Sequence, residues 1–271
     1  MKRVVAVFLS FLLVSCAQDK PAGHRSFAAG TTNARSASAP VPSSEQTQQA
    51  FDLAYVMGKF DPASHPDFVE INPEHASRKG MFLRRDVYDA FKNMYGAALK
   101  DGIRLRIVSA ARNFDVQKGI WEAKWTGVRL IENGKNASEA YPDPVERALK
   151  ILEYSSMPGS SRHHWGTDMD LNDLNPEWFQ SGEGKKIHDW LTANGAAYGF
   201  CQPYSPKGKD RLFGYNEEQW HWSYMPVSTV LTELARQKLK DDMISGFEGA
   251  NTASQIGVVQ KYVLGINPAC K

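Results

Sequence analysis

Pro158-Gly159-Ser160-Ser161-Arg162-His163-His164-Trp165-Gly166-Thr167-Asp168-Met169-Asp170-Leu171 is the stretch from which the rest of the chain can be read. Two histidines, a glycine and two aspartates fall within eight residues. Imidazole nitrogens and carboxylate oxygens are both good zinc ligands. A polar turn leading into a strand would use the same residue types. Gly166 allows a tight turn, and alternation along Thr167 to Leu171 puts Asp168 and Asp170 on one face with Met169 on the other. Either aspartate could therefore face a metal held by His163 or His164. These residues alone leave that choice open.

Two further segments could complete such a site. In Glu217-Glu218-Gln219-Trp220-His221-Trp222-Ser223-Tyr224, a histidine sits between two tryptophans in a β-favouring run. Its ring is either satisfied in the core or bound to something. Glu218 lies three residues earlier, within reach as a base. Residues three apart on a regular strand face opposite sides, so this pairing requires Glu218 on the preceding turn, or a bulge. In Ser109-Ala110-Ala111-Arg112-Asn113-Phe114-Asp115-Val116-Gln117, Arg112 stands where a strand gives way to a helix. A guanidinium there can hold a carboxylate through two parallel hydrogen bonds, although a lone arginine is more often a surface residue.

The elements around these segments follow from periodicity. Leu83 to Leu99 is expected to be helical, with apolar residues at three- and four-residue steps. Leu105 to Val108 reads as a strand. Phe114 to Trp125 reads as a helix with Val116, Ile120 and Trp121 inward. Residues 127–140 read as a loop, and Pro144 to Tyr154 as a helix that starts at its proline. Thr167 to Leu171 is a short strand and Gly184 to Ala193 a helix, its stripe formed by Ile187, Trp190 and Leu191. Tyr198 to Tyr204 and Gln219 to Tyr224 are aromatic strands, and the chain from about Val227 is helical down to Leu264. With no Gly-rich phosphate loop and no regular βαβ rhythm, the pattern predicts an α+β domain with a small, mostly antiparallel sheet and flanking helices.

The chain has 271 residues, with 32 Lys and Arg against 30 Asp and Glu. That balance, without a basic stripe, argues against a nucleic-acid partner. At the N-terminus, Lys2 and Arg3 precede an apolar run, Val4 to Leu13. The run suits a signal-peptide core and is too short for a membrane-spanning helix, which needs roughly 20 residues. It ends in Leu13-Val14-Ser15-Cys16, which resembles the lipobox of bacterial lipoproteins. That resemblance implies a signal peptide over residues 1–15 and a lipid-modified Cys16. The protein would be an exported lipoprotein, membrane-anchored on the periplasmic side of the envelope. Ala17 would favour the outer membrane in a Gram-negative cell. Residues 16–48, rich in Ala, Ser, Thr, Pro and Gln, read as a disordered tether. Export would place Cys201 and Cys270 in an oxidising compartment, where one disulfide could tie the tail to the main domain.

Three motifs, in order, resemble one family. Ser161-x-His163-x-x-Gly166-x-Asp168-x-Asp170, Glu218-x-Trp220-His221 and Ser109-x-x-Arg112-x-x-x-x-Gln117 are similar to the patterns of the VanY-like D-alanyl-D-alanine carboxypeptidases. These are zinc peptidases related in fold to lysostaphin-type enzymes and the hedgehog domain. The resemblance covers roughly residues 51 to 226, including Trp190-Leu191 through Tyr198-Gly199-Phe200. It implies a catalytic domain over residues 49–226 and leaves residues 227–271 as a helical C-terminal extension.

The resemblance also implies roles. His163, Asp170 and His221 would hold one Zn2+ per chain, selected over His164 and Asp168 by the register of the motif. Glu218 would be the catalytic base. Arg112, Gln117 and Ser161 would bind the terminal carboxylate and neighbouring amide of a peptidoglycan stem peptide. His164 and Asp168 would support the ligands. The expected activity is D,D-carboxypeptidase, by a monomer. An L,D-carboxypeptidase, a peptidoglycan endopeptidase and a non-catalytic wall-binding lipoprotein are the alternatives. One departure is Ala111, where relatives often carry an aromatic residue, which bears on the shape of the substrate pocket.

Overall fold

The structure is a computed structural model that describes residues 51–131 and 134–271. The signal peptide, the tether and Cys16 lie outside the described residues. The first helix, α1 (Leu53–Val56), is capped by Asp52, whose carboxylate accepts from the Tyr55 amide. Strands β1 (Phe68–Glu70) and β2 (Phe82–Arg84) pair antiparallel, and α2 (Arg85–Lys100) follows at once. Next come β3 (Ile107–Ser109), α3 (Phe114–Trp125), the short α4 (Ala137–Ala140) and α5 (Pro144–Ile151). Then β4 (Asp168–Leu171), α6 (Gly182–Asn194), β5 (Phe200–Cys201) and β6 (His221–Tyr224) lead into α7 (Met225–Lys238) and α8 (Ala253–Ile256). Helices α3 and α5 begin where side chains fix them: Asn113 accepts from the Val116 amide, and Asp143 caps the turn that Pro144 opens.

Four strands form an antiparallel sheet in the order β3-β4-β6-β5. This is the mixed helix-and-sheet class with a small antiparallel sheet that the sequence predicts. Strand β4 pairs with β6 in the register Asp168↔Ser223, Met169↔Trp222 and Asp170↔His221. Cross-strand partners share a face and neighbours along a strand alternate. Met169, Leu171 and Trp222 therefore join one apolar cluster with Val87, Phe91 and Met94 of α2 and Ile187 and Leu191 of α6. Asp168, Asp170, His221 and Ser223 occupy the other face. A second cluster gathers α1, α3, α5, α7 and the tail around Trp121, Trp165 and Leu231.

Gly166 ends the turn before β4 with φ +68°, and a Cβ there would lie 2.4 Å from the Phe68 ring. The left-handed backbone and the missing side chain are both required at this point.

Several expectations are corrected. Helix α3 has the predicted bounds and buries Trp121 as expected, but Val116 is half exposed, and Gln117, Lys124 and Trp125 complete the buried face. The winning face follows the i, i+4, i+7 line through Gln117, and it faces a polar cleft as well as the core. The strand expected over Tyr198 to Tyr204 shrinks to Phe200–Cys201. Gly199 takes a left-handed turn before it, and Pro203, which has no N–H, follows it. Strand β6 begins at His221, because residues 218–221 form a turn closed by the His221 amide donating to the Glu218 carbonyl at 3.2 Å. Residues 127–140 are not all loop, since Asn136 caps α4. Beyond α7 the extension is not one helix: it breaks into short turns around α8, with Gly246, Gly249 and Gly257 all at positive φ.

The extension supplies Leu231, Leu234, Ile256, Val263 and Ile266 to the second cluster and ends in a disulfide between Cys270 and Cys201, 69 residues apart. A cross-link over a loop of that length stabilises a fold by about 2–4 kcal/mol, chiefly by restricting the unfolded chain. Replacing both cysteines (Cys201→Ser with Cys270→Ser) is expected to lower the unfolding free energy by about that amount. Denaturant titration at equal protein concentration measures it, and an unchanged midpoint would contradict the bracing role.

Candidate active site

The 3-10 turn Arg162–Trp165 and strands β4 and β6 bring together residues far apart in sequence. Asp170 Oδ1 lies 3.3 Å from His163 Nε2 and 3.2 Å from His221 Nδ1. The Glu218 carboxylate lies 3.2 Å from the same His221 nitrogen. Glu218 stands on the turn before β6, the arrangement that its three-residue spacing from His221 requires. Among the described residues, His163, Asp170 and His221 form the one group whose ligand atoms converge for a metal, all within 4.8 Å of one another.

The hydrogen bonds behind the two imidazoles set their tautomers. His163 Nδ1 lies 2.9 Å from the Ala110 carbonyl, which can only accept, so Nδ1 carries the proton and Nε2 presents its lone pair. His221 Nε2 lies 2.9 Å from the Asp168 carboxylate, so when the ring is neutral the proton sits on Nε2 and Nδ1 is the lone pair on the other side. Two nitrogen lone pairs and a carboxylate oxygen thus point at one spot. Asp170 Oδ1 is buried there with no hydrogen-bond partner. Two ligands bonded at 2.0–2.1 Å to one tetrahedral zinc stand about 3.3–3.4 Å apart. Asp170 keeps nearly that separation from each nitrogen, and the two-imidazole, one-carboxylate donor set is of a kind that suits zinc.

The electrostatics agree. Burial opposes charge on His221, yet the hydrogen bond to Asp168 and the carboxylates of Asp170 and Glu218 close by outweigh it and push the imidazole well above the ordinary histidine range. Burial and the neighbouring Arg112 push His163 the other way. Burial would raise Asp170, but the two imidazoles hold it well below the usual carboxylate range. Glu218 is raised by burial, partly offset by His221. The site draws a positive charge inward and holds one carboxyl with increased proton affinity beside it.

A cleft of about 600 Å³ opens onto this group. Arg112 and Gln117 line it with His163, Asp170, Glu218 and His221. Arg112 Nη1 donates to Ser109 Oγ at 2.8 Å, and its buried Nε has no partner. Gln117 Nε2 donates to the Ser156 carbonyl at 2.8 Å, while its Oε1 is buried without a partner. Both side chains keep capacity for a ligand. Ser161 differs. It is fully buried, its Oγ has no partner, and it is not among the residues lining the cleft.

The two supporting candidates separate. Asp168 backs His221 directly. His164 instead donates through Nδ1 to the Arg112 carbonyl at 2.6 Å and accepts at Nε2 from the Gly159 amide at 3.0 Å. Burial pushes its pKa down to about 3, so it stays neutral. It fixes the loop that carries Arg112 and does not orient a ligand. Sequence reasoning missed Tyr204, whose ring packs 4.6 Å from that of His221, and Lys124, which lines the cleft and donates to Ser155 Oγ at 2.7 Å. Lys124 was legible in principle, seven residues after Gln117 on one helix face. Tyr204 had no signal, because only the fold brings it to His221.

Comparison with known proteins places this geometry in context. The family model of VanY, D-alanyl-D-alanine carboxypeptidase, matches residues 80–227. The chain is 30% identical over 176 residues to "Putative carboxypeptidase YodJ" of Bacillus subtilis (strain 168), a match covering 62% of this chain and 55% of that protein. The chain thus spans little more than half the length of that curated relative. Among solved structures, it is similar to the LdcB LD-carboxypeptidase (25% identity, TM-score 0.47, covering 66% of this chain and 76% of that one). It is also similar to a mutant of the vancomycin resistance D,D-pentapeptidase VanY in complex with Zn(II) (20% identity, TM-score 0.44, covering 59% and 85%).

A pH-linked prediction follows from the imidazoles. Without metal, His221 is raised and so protonated near neutral pH, whereas His163 is lowered and neutral. Zinc needs both as neutral ligands, so binding at pH 7 is expected to expel about one proton, and affinity to rise with pH. Titration calorimetry in two buffers of different ionisation enthalpy counts the protons. Zero release would contradict the assignment.

Proposed function

We propose, since the chain belongs to the VanY family of D-alanyl-D-alanine carboxypeptidases, that it is a zinc-dependent D,D-carboxypeptidase that removes the C-terminal residue of peptidoglycan stem peptides. One observation carries the reading: a buried, partnerless carboxylate oxygen of Asp170 lies between two imidazole lone pairs, with Glu218 beside it and Arg112 in the same cleft. His163, Asp170 and His221 would hold the ion. Zinc bound there supplies Lewis acidity, polarising the scissile carbonyl and making a water ionisable near neutral pH.

The chain's own residues do the rest. The Arg112 guanidinium holds the terminal carboxylate, which favours removal of the last residue over internal cleavage. Gln117 Oε1 accepts from an amide N–H of the substrate. Glu218, ionised, takes a proton from the attacking water and returns it to the leaving amine. Its raised proton affinity suits both transfers. Asp168 and the Ala110 carbonyl keep the two imidazoles in the tautomers that ligation needs.

The cell envelope is the proposed site of action, with Cys16 as lipid anchor. The Cys201–Cys270 disulfide supports export, because such bonds persist in oxidising compartments.

Mass spectrometry of defined muropeptides tests the reading. The zinc-loaded protein is expected to remove one terminal alanine from pentapeptides, and a chelator to abolish this. Glu218→Gln is expected to keep zinc while losing about 10²–10⁴-fold in kcat. Cleavage confined to tetrapeptides or to cross-linked dimers would replace D,D-carboxypeptidase by L,D-carboxypeptidase or endopeptidase. Untouched muropeptides with bound zinc would leave a wall-binding protein and contradict the proposal.

A further inference from the structure

Behind His221 lies a closed hydrogen-bond network that reaches the C-terminal extension. Asp168 is fully buried and accepts at every position. Its Oδ1 takes hydrogen bonds from Arg162 Nε at 3.1 Å and His221 Nε2 at 2.9 Å, and its Oδ2 from Thr167 Oγ1 at 2.5 Å and Ser223 Oγ at 3.0 Å. Arg162, 1% exposed, lies over the Trp165 ring with its guanidinium 4.5 Å from the centroid. Its three nitrogens each have a partner: Asp168 at Nε, Thr232 Oγ1 at Nη1 (2.9 Å) and Ser223 Oγ at Nη2 (2.8 Å). Thr232, on α7, donates in turn to the Ser228 carbonyl at 2.6 Å.

This arrangement leaves Asp168 one orientation. Its carboxylate is gripped from four sides, and the side facing the metal site is occupied by His221. Thr232 lies outside the residues that match the family, 80–227, and Arg162 fills one of the unspecified positions of the Ser161-x-His163 motif. We propose that Arg162 and Thr232 are positioning residues for the metal centre: helix α7, through Thr232 and Arg162, fixes Asp168 so that His221 presents Nδ1 to the ion. The extension is then part of the catalytic apparatus as well as a brace. This rests on the zinc-peptidase reading above.

The obvious substitution, Arg162→Met, strands a buried carboxylate and can unfold the chain. Thr232→Val is the cleaner variant, keeping shape while deleting the acceptor for Nη1. Outer-shell partners of a metal ligand typically contribute 10–100-fold in metal affinity or activity. In the purified full chain, Thr232→Val is expected to weaken zinc binding about tenfold, measured by competition with a chromogenic chelator, and to lower kcat with KM unchanged. The melting temperature of the metal-free protein is expected to fall by a few degrees, because Nη1 is left unpaired, so the zinc affinity and kcat carry the test. Thr232→Ser, which restores the hydroxyl, should restore both. Parental zinc affinity and kcat in Thr232→Val, with or without a lower melting temperature, would reduce the network to a structural role and overturn the inference. If the parent itself bound no zinc, the zinc-peptidase reading would fail first, and this inference with it.

Discussion

The pairing of Asp170 with His221 across strands β4 and β6 is the constraint on which the site depends. A slip of one residue in that register would turn one of the two strands over relative to the other and put Asp170 and His221 on opposite faces of the sheet. The polar pair cannot enforce the register itself, since burying charged groups is costly. The enforcement comes from the other face, where Met169, Leu171 and Trp222 are buried against α2 and α6. Each large apolar side chain contributes about 1.5–3 kcal/mol on burial. A slipped sheet would lose those contributions and expose the same residues to the polar centre. Gly166 acts on the same junction, because the turn it closes delivers His163 beside the strand that carries Asp170.

Asp168, Asp170 and Glu218 are all buried around His221. Arg162 balances the first through a fully buried ion pair. Asp170 has only the two histidines, and its Oδ1 remains without a hydrogen bond. A metal ion at that spot would satisfy the oxygen and both imidazole lone pairs at once. The same cleft is lined by this candidate metal group and by Arg112 and Gln117, each keeping unused hydrogen-bonding capacity.

How much of this was legible in the sequence depended on range. Helix α3 was readable to the residue because Asn113 caps it and Thr126 ends it, both local signals. Its inward face was read only in part: Trp121 is buried as expected, but Val116 looked apolar while the fold turned Gln117 and Lys124 toward a cleft. The strands were read too long, since the turn at residues 218–221 and the Gly199 and Pro203 punctuation shorten them. The broken extension could have been anticipated from Gly246, Gly249 and Gly257. The residues converging on the candidate metal position were legible as motifs, and the turn that Glu218 occupies was foreseen as one resolution of a geometric objection. Arg162 with Thr232 was not readable, because the contact spans 70 residues and lies partly beyond the motifs.

The most direct measurement of the central claim is anomalous diffraction at the zinc edge from crystals of the zinc-loaded protein. The account predicts one peak, about 2.0–2.2 Å from His163 Nε2, Asp170 Oδ1 and His221 Nδ1. Glu218 would stand beside the peak without ligating it. A peak held by His164 or Asp168, or no peak at this site in a zinc-loaded crystal, would contradict it.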